Sequence, residues 1–188
     1  MHLTIAIPTL NRCGYLKKNI EYFDKLVRPD DVQISLTISN SASVDSTSDF
    51  LQSLQTMRDD LYVFNQRTDW TGGNYGYLAH TVPEDADWVW FMGDDDYIPD
   101  PNALHTLCDF LSEKTSDPDF GFVHVCQAKR SRNSGKVTTD TIFNLCNLYG
   151  YTEMLGWISS LVIRRPQFIA ALKKTDARAQ FARKEAGH

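Results

Sequence analysis

Three consecutive acids, Asp94-Asp95-Asp96, follow Gly93 at the end of an apolar, aromatic-rich run, Trp88-Val89-Trp90-Phe91-Met92. Adjacent carboxylates repel one another, and a hard divalent cation with oxygen ligands is the usual way to hold such charge together. The run before them reads as a buried strand. The acids therefore stand at a strand end, where their charge must be hydrated, paired with a cation or gathered into a site. A metal-binding strand end is one reading. A solvated acidic turn is the other, because Asp favours turns and Tyr97-Ile98-Pro99-Asp100-Pro101 continues as turn-like sequence.

The elements that must position these acids alternate along the chain. Leu3 to Ile7 predicts a first strand ending at Pro8, whose missing N–H suits a strand end. A helix from Tyr15 to Leu26 follows, with apolar residues at helical spacing. A β-branched strand, Val32 to Ile38, runs into the polar loop Ser39 to Asp45, then into a helix through Phe50, Leu51, Leu54 and Met57. Leu61 to Phe64 makes a third strand, a short helix begins at Asn74, and Trp88 to Met92 is the fourth strand. Beyond the acids the pattern predicts a helix over Pro101 to Ser112, a strand over Phe120 to Val125, and a hairpin turn over Lys129 to Lys136. A strand over Ile158 to Ile163 and a helix over Pro166 to Lys173 complete it.

Strand and helix in alternation predict an α/β fold, with a mostly parallel sheet flanked by helices. Each strand of the first half then ends in a polar loop at one edge of the sheet, where ligands of open α/β sheets bind. Residues 1–174 form one domain in this reading. The segment 175–188 is a tail with little apolar pattern, either frayed or the start of a truncated region.

A chain of 188 residues with 42% apolar and 23% charged residues suits one globular domain. Its net charge of −5 argues against nucleic acid as the partner, which would favour a basic face. The 4 cysteines are scattered, without metal spacing, which fits reduced thiols and a cytoplasmic location. No stretch approaches the roughly 20 apolar residues that span a bilayer. Basic residues gather late in Arg164, Arg165, Lys173, Lys174, Arg178, Arg183 and Lys184. They fit a solvated helix face, or a peripheral contact at the inner face of the membrane. Oligomeric state leaves no mark on the sequence.

Four segments, in order and spacing over the first half of the chain, resemble glycosyltransferase family 2, the group with the GT-A fold. Ile5 to Arg12 is similar to that family's opening strand and donor-binding turn, and Ile38 to Asp45 to its second-strand loop. Asn65 to Asn74 resembles its glycine-rich loop, and Phe91 to Asp96 its metal-binding Asp-x-Asp segment. The resemblance implies a nucleotide-sugar donor bound by Pro8, Thr9, Asn11, Arg12, Asn40, Ser41, Arg67, Gly73 and Asn74. It also implies Mg²⁺ or Mn²⁺ held by Asp94 and Asp96, with Asp95 facing the ribose or the donor sugar.

For several of these residues a plainer role stands beside the implied one. Asn11 suits a helix cap, Arg12 an exposed helix start, Asp45 a cap of the next helix, and Arg67 an exposed loop position. Asn40 and Ser41 stand where the family usually carries acids, which leaves the base open. If residues 94 to 96 run extended, Asp94 and Asp96 point the same way and can share an ion.

The activity implied is transfer of a sugar, with inversion, to a glycan or lipid-linked acceptor in polysaccharide or glycoprotein assembly. Inversion requires a general base, and no Glu-Asp pair follows Asp96. Outside the Asp117 to Asp119 turn and Asp140, the remaining later acids are Glu153, Asp176 and Glu185, each with the character of a surface acid, so the catalytic base is unassigned. A sugar-nucleotide-binding module without transfer activity, or a truncated one, is the alternative. Trp157 fits either a stack on a sugar face or a buried aromatic. A nucleotidyltransferase would carry a glycine-rich basic loop after the first strand, and Thr9 to Gly14 holds a single glycine.

Overall fold

The computed structural model describes residues 1–65, 78, 81–126 and 137–174. Its centre is a 6-stranded sheet of order β3-β2-β1-β4-β6-β5. The strands are β1 (His2–Thr9), β2 (Gln33–Asn40), β3 (Leu61–Asn65), β4 (Trp88–Phe91), β5 (Phe122–His124) and β6 (Leu161–Arg164). β1 pairs in parallel with β2 and β4, and β2 with β3, whereas β6 runs antiparallel to both β4 and β5. The sheet is thus mostly parallel, as the alternation predicts.

Helices α1 (Cys13–Phe23), α2 (Thr47–Gln55) and α3 (Ala103–Lys114) pack on one face. Period-2 alternation explains why. Leu3, Ile5 and Ile7 of β1, Ile34, Leu36 and Ile38 of β2, and Trp88 and Trp90 of β4 point to that face and join Leu16, Ile20, Leu51, Leu104 and Leu111 in one core. Ala6, Val89 and Phe91 point the other way, into a smaller core with Leu78 and Val82. Fully buried side chains of the Leu or Ile class contribute about 1.5–3 kcal/mol each, so the larger core dominates stability.

The second face of β1 and β2 is polar yet buried. Its groups satisfy one another across the strands: Thr4 Oγ1 lies 2.9 Å from Thr37 Oγ1, and His2 Nε2 lies 2.8 Å from Ser35 Oγ. Such pairing is what makes burial of hydroxyls tolerable.

Several boundaries differ from the sequence pattern for local reasons. α1 stops at Phe23, and Leu26 reaches the same core through a tightened turn in which its N–H donates to Phe23 O. β6 starts at Leu161 because Ile158–Ser160 forms a 3₁₀ turn closed by Ser160 N–H to Trp157 O. Two helices not foreseen, α4 (Ile142–Tyr149) and α5 (Tyr151–Leu155), are separated by Gly150 at φ 99°, which a residue with a side chain would occupy only under strain. α4 begins at Thr141, whose hydroxyl accepts from Asn144 N–H, and none of its residues is buried. Residues 165–174, α6, are helical as expected. The hairpin over Lys129 to Lys136, the helix start at Asn74 and the tail from Thr175 lie outside the described residues. No described helix is long and apolar enough to cross a membrane.

Candidate functional site

β4 ends at Phe91, and the chain then turns instead of running on extended. Asp96 N–H donates to Gly93 O at 3.2 Å, so the acids occupy a turn and alternate residues do not share a face. Asp94 points inward and is only 4% exposed. Its Oδ2 accepts from Thr9 Oγ1 at 2.8 Å and its Oδ1 from Arg12 Nη1 at 2.9 Å. Burial pushes the Asp94 carboxyl above its ordinary range, against the opposing pull of Thr9 and Arg12. Attraction to Asp94 in turn holds the Arg12 guanidinium more firmly charged. Arg12 also approaches Asp95 Oδ2 at 3.3 Å and lies 4.8 Å from the centre of the Tyr15 ring.

Asp95 and Asp96 point outward. A Cβ placed on Gly93 would lie 3.1 Å from Asp95 Oδ1 and 3.1 Å from Asp96 Oδ2, so both carboxylates converge above a backbone position that only hydrogen fills comfortably. Asp94 and Asp96, the pair named from sequence, thus take different partners, and Asp95 is the acid that converges with Asp96. Among the described residues, no group of three or more His, Cys, Asp or Glu side chains is arranged to hold a metal by itself. Two convergent carboxylates fit a hard cation that takes its remaining ligands from phosphate and water.

The first two polar loops are bolted together beside this turn. Asn11, in the left-handed region at φ 55°, donates its N–H to Ser43 Oγ, and its Oδ1 accepts from the N–H of Val44 at 2.7 Å and of Asp45 at 3.4 Å. Asp45 Oδ1 accepts from Thr47 N–H at 3.0 Å and its Oδ2 from Cys13 N–H at 3.3 Å, so one carboxylate serves the first residue of both α2 and α1. Burial alone would raise the Asp45 carboxyl, but these hydrogen bonds outweigh it and hold it below the usual range. The N-cap position of α2 is Ser46, so Asp45 serves that helix from one residue earlier than a cap, and it serves α1 besides. Asn11 caps the neighbouring loop, not its own helix.

Beside β2 and β3 an open cleft of about 360 Å³ is lined by Asn40, Ala42, Ser48, Asp49, Gln52, Gln55 and Asn65. Asn40 is 1% exposed and internally committed: its Nδ2 donates to Ser48 Oγ and Asn65 Oδ1, each at 2.9 Å, and its Oδ1 accepts from Ser43 N–H. Ser41 is fully buried, with its N–H donating to Thr9 O. Pro8 is half-buried within β1, opposite Ser39. Arg67, Gly73 and Asn74 lie outside the described residues. Trp157 is 55% exposed rather than packed under the sheet. Of the later acids, Glu153 sits on α5 with its backbone oxygen near His124 Nε2, and Asp176 and Glu185 lie outside the described residues.

Two residues that hold the acidic turn are missed by sequence reasoning. Asn19, on the buried face of α1, donates through Nδ2 to Gly93 O at 3.2 Å and to Asp96 O at 2.5 Å. Its signal was available: an amide at 3% exposure sits on an otherwise apolar helix face and needs a partner. Ser159 reaches Asp96 from the far end of the chain, and a single serine in a polar turn gives no such signal.

Comparison with known proteins agrees with this architecture. An uncharacterized glycosyltransferase of Mycoplasma genitalium is 27% identical over 99 residues, covering 51% of this chain and 33% of its own length. The crystal structure of Staphylococcus aureus TarS 1-349 superposes with a TM-score of 0.63 at 19% identity, over 94% of this chain and 49% of that one. The mannosyltransferase PcManGT of Pyrobaculum calidifontis, in complex with GDP-Man and Mn²⁺, gives 0.55 at 17% identity, over 68% of this chain and 36% of that one. The chain therefore spans about a third of the curated relative and about half of TarS 1-349. The fold is GT-A, shared with these structures. A sequence model of the glycosyl transferase family 2 matches residues 4–170, nearly the whole of the described fold, and this chain belongs to that family.

Proposed function

We propose that this chain is the donor-binding core of a metal-dependent glycosyltransferase that moves a sugar from a nucleoside diphosphate to a glycan or lipid-linked acceptor, with inversion. The observation that carries this reading is the convergence of Asp95 and Asp96 at the end of β4, on the same sheet edge as the cleft beside Asn40 and Asn65. Thr9 links the two places: it pairs in register with Asn40 and hydrogen-bonds Asp94. With strands roughly 4.8 Å apart, the cleft and the acidic turn lie on the order of 10 Å from each other, the scale of an extended nucleoside diphosphate.

In this reading the cleft takes the base. Asn65, whose Oδ1 is engaged by Asn40, offers its amide N–H groups, and Asp49, Gln52 and Gln55 offer acceptors. Asp95 and Asp96 hold Mg²⁺ or Mn²⁺, which when bound offsets charge on the departing diphosphate. Asp94 keeps Arg12 aimed across the site, where the exposed part of the guanidinium meets phosphate oxygens. TarS is known with UDP-GlcNAc and with UDP, and PcManGT with GDP-Man and Mn²⁺, which supports a nucleotide-sugar donor here. Arg67, Gly73 and Asn74 belong to the donor site in the same reading.

The test is titration of UDP and GDP into the protein with and without Mn²⁺, followed by donor turnover with and without candidate acceptors. Binding of one nucleotide that strengthens with Mn²⁺ is expected. Heats indifferent to the metal for both nucleotides would reject the proposal.

A further inference from the structure

Ser159 belongs to the 3₁₀ turn that leads into β6, 66 positions along the chain from Gly93, yet it forms part of the acidic turn. Three contacts fix it there. Trp90 Nε1 donates to its backbone oxygen at 2.8 Å, Gly93 N–H donates to its Oγ at 2.8 Å, and its own hydroxyl donates to Asp96 Oδ2 at 2.5 Å. The direction of the last bond follows from the second. Because Oγ accepts from a backbone N–H, its proton is free to point elsewhere, and the carboxylate is the acceptor in reach. Asn19 restrains the same turn from the opposite side by holding the backbone oxygens of Gly93 and Asp96. Asp96 is thereby held at its main chain by α1 and at its carboxylate by the turn before β6.

We propose that Ser159 is a positioning residue for the divalent cation: it holds the Asp96 carboxylate in the orientation that converges with Asp95, an inference that rests on the metal-dependent reading above. A carboxylate on an exposed turn otherwise rotates freely about χ1 and χ2, and the ordering must be supplied when the ion binds. A hydroxyl anchored by Gly93 N–H supplies it beforehand. Partners of this kind, one bond removed from the ion, typically change metal affinity by about 10- to 100-fold when removed. The arrangement also ties the site to the carboxyl half of the sheet, because Ser159 moves with the start of β6.

The experiment measures the Mn²⁺ concentration giving half-maximal enhancement of nucleotide binding, by titration calorimetry with UDP and GDP. It compares the natural chain with Ser159→Ala, Ser159→Cys and Ser159→Thr, with thermal unfolding recorded for each. Ala and Cys are expected to raise that concentration roughly ten-fold or more, leaving metal-free nucleotide binding unchanged, while Thr, which keeps the hydroxyl, stays near the natural value. Cys preserves the size of the side chain and serves if Ala does not fold. A purely structural role would lower the unfolding temperature without moving the metal dependence. Ala and Cys variants with unaltered Mn²⁺ dependence overturn the positioning role alone, whereas a natural chain without any Mn²⁺ response overturns it together with the proposed function.

Discussion

Asp94 and Asp96 stand two residues apart, yet their replacement should have opposite consequences. Asp94→Ala removes the acceptor of the Thr9 hydroxyl and one acceptor of Arg12. Thr9 is 2% exposed, and an orphaned buried hydroxyl costs roughly 1–3 kcal/mol. The Arg12 side chain is 42% exposed and retains Asp95, so solvent screening limits its share to about 1 kcal/mol or less. Removing a carboxylate disfavoured by burial returns part of this, leaving a net loss of about 1–3 kcal/mol. At about 2–4 °C per kcal/mol for a chain of this size, the unfolding midpoint should fall by roughly 2–12 °C.

Asp94→Asn keeps the shape, with its amide donating to Thr9 Oγ1 and its oxygen accepting from Arg12. Its loss should therefore stay under about 1 kcal/mol. Asp96→Ala alters an exposed group and removes only the exposed hydrogen bond from the Ser159 hydroxyl, so stability should change by no more than about 1 kcal/mol while Mn²⁺-dependent nucleotide binding disappears. Urea unfolding and Mn²⁺ titration on the same preparations separate the two effects. Equal stability of Asp94→Ala and Asp96→Ala would refute the division of labour within the triplet.

Gly93→Ala should weaken Mn²⁺-dependent binding of UDP or GDP with little change in unfolding midpoint, because its methyl would sit 3.1 Å from both outward carboxylates and force them apart; undiminished binding on titration would contradict this. Acid should also weaken the fold through Asp60, which accepts from Arg58 Nε at 2.9 Å and Arg28 Nη1 at 2.8 Å. Burial works to raise its carboxyl, but the two arginines outweigh it and hold it below its ordinary value of 3.8. Since the folded value lies below the unfolded one, this stabilisation is complete above the ordinary value and is lost as pH falls through the folded value. Urea midpoints between pH 6 and pH 2 should therefore drop less steeply for Asp60→Asn than for the natural chain, and parallel profiles would count against the pairing.

The parallel half of the sheet is legible because Trp88 to Met92 is a continuous apolar run and Leu3 to Ile7 and Val32 to Ile38 place apolar residues at alternate positions, both patterns of strands packed on a core. Their polar endings then mark the edge that carries the candidate site. The reach of that logic ends where side chains meet across long separations. Three acids in a row read the same whether extended or turned, and the turn arises from Asn19 and Ser159, neither adjacent in sequence. Likewise, nothing in the sequence around Asn40 shows that its amide donates to Ser48 and Asn65. α4 escaped notice because its apolar residues form no stripe against a core: Phe143 and Leu148 are exposed.

The double service of Asp45 has a bearing on any re-engineering of the proposed donor site. Its carboxylate terminates helices that follow two different strands, and Asn11 returns the favour to the loop that carries it. A graft that exchanged only one of these loops with a relative's would strand backbone amides on the other side, so the pair is the smallest transplantable unit.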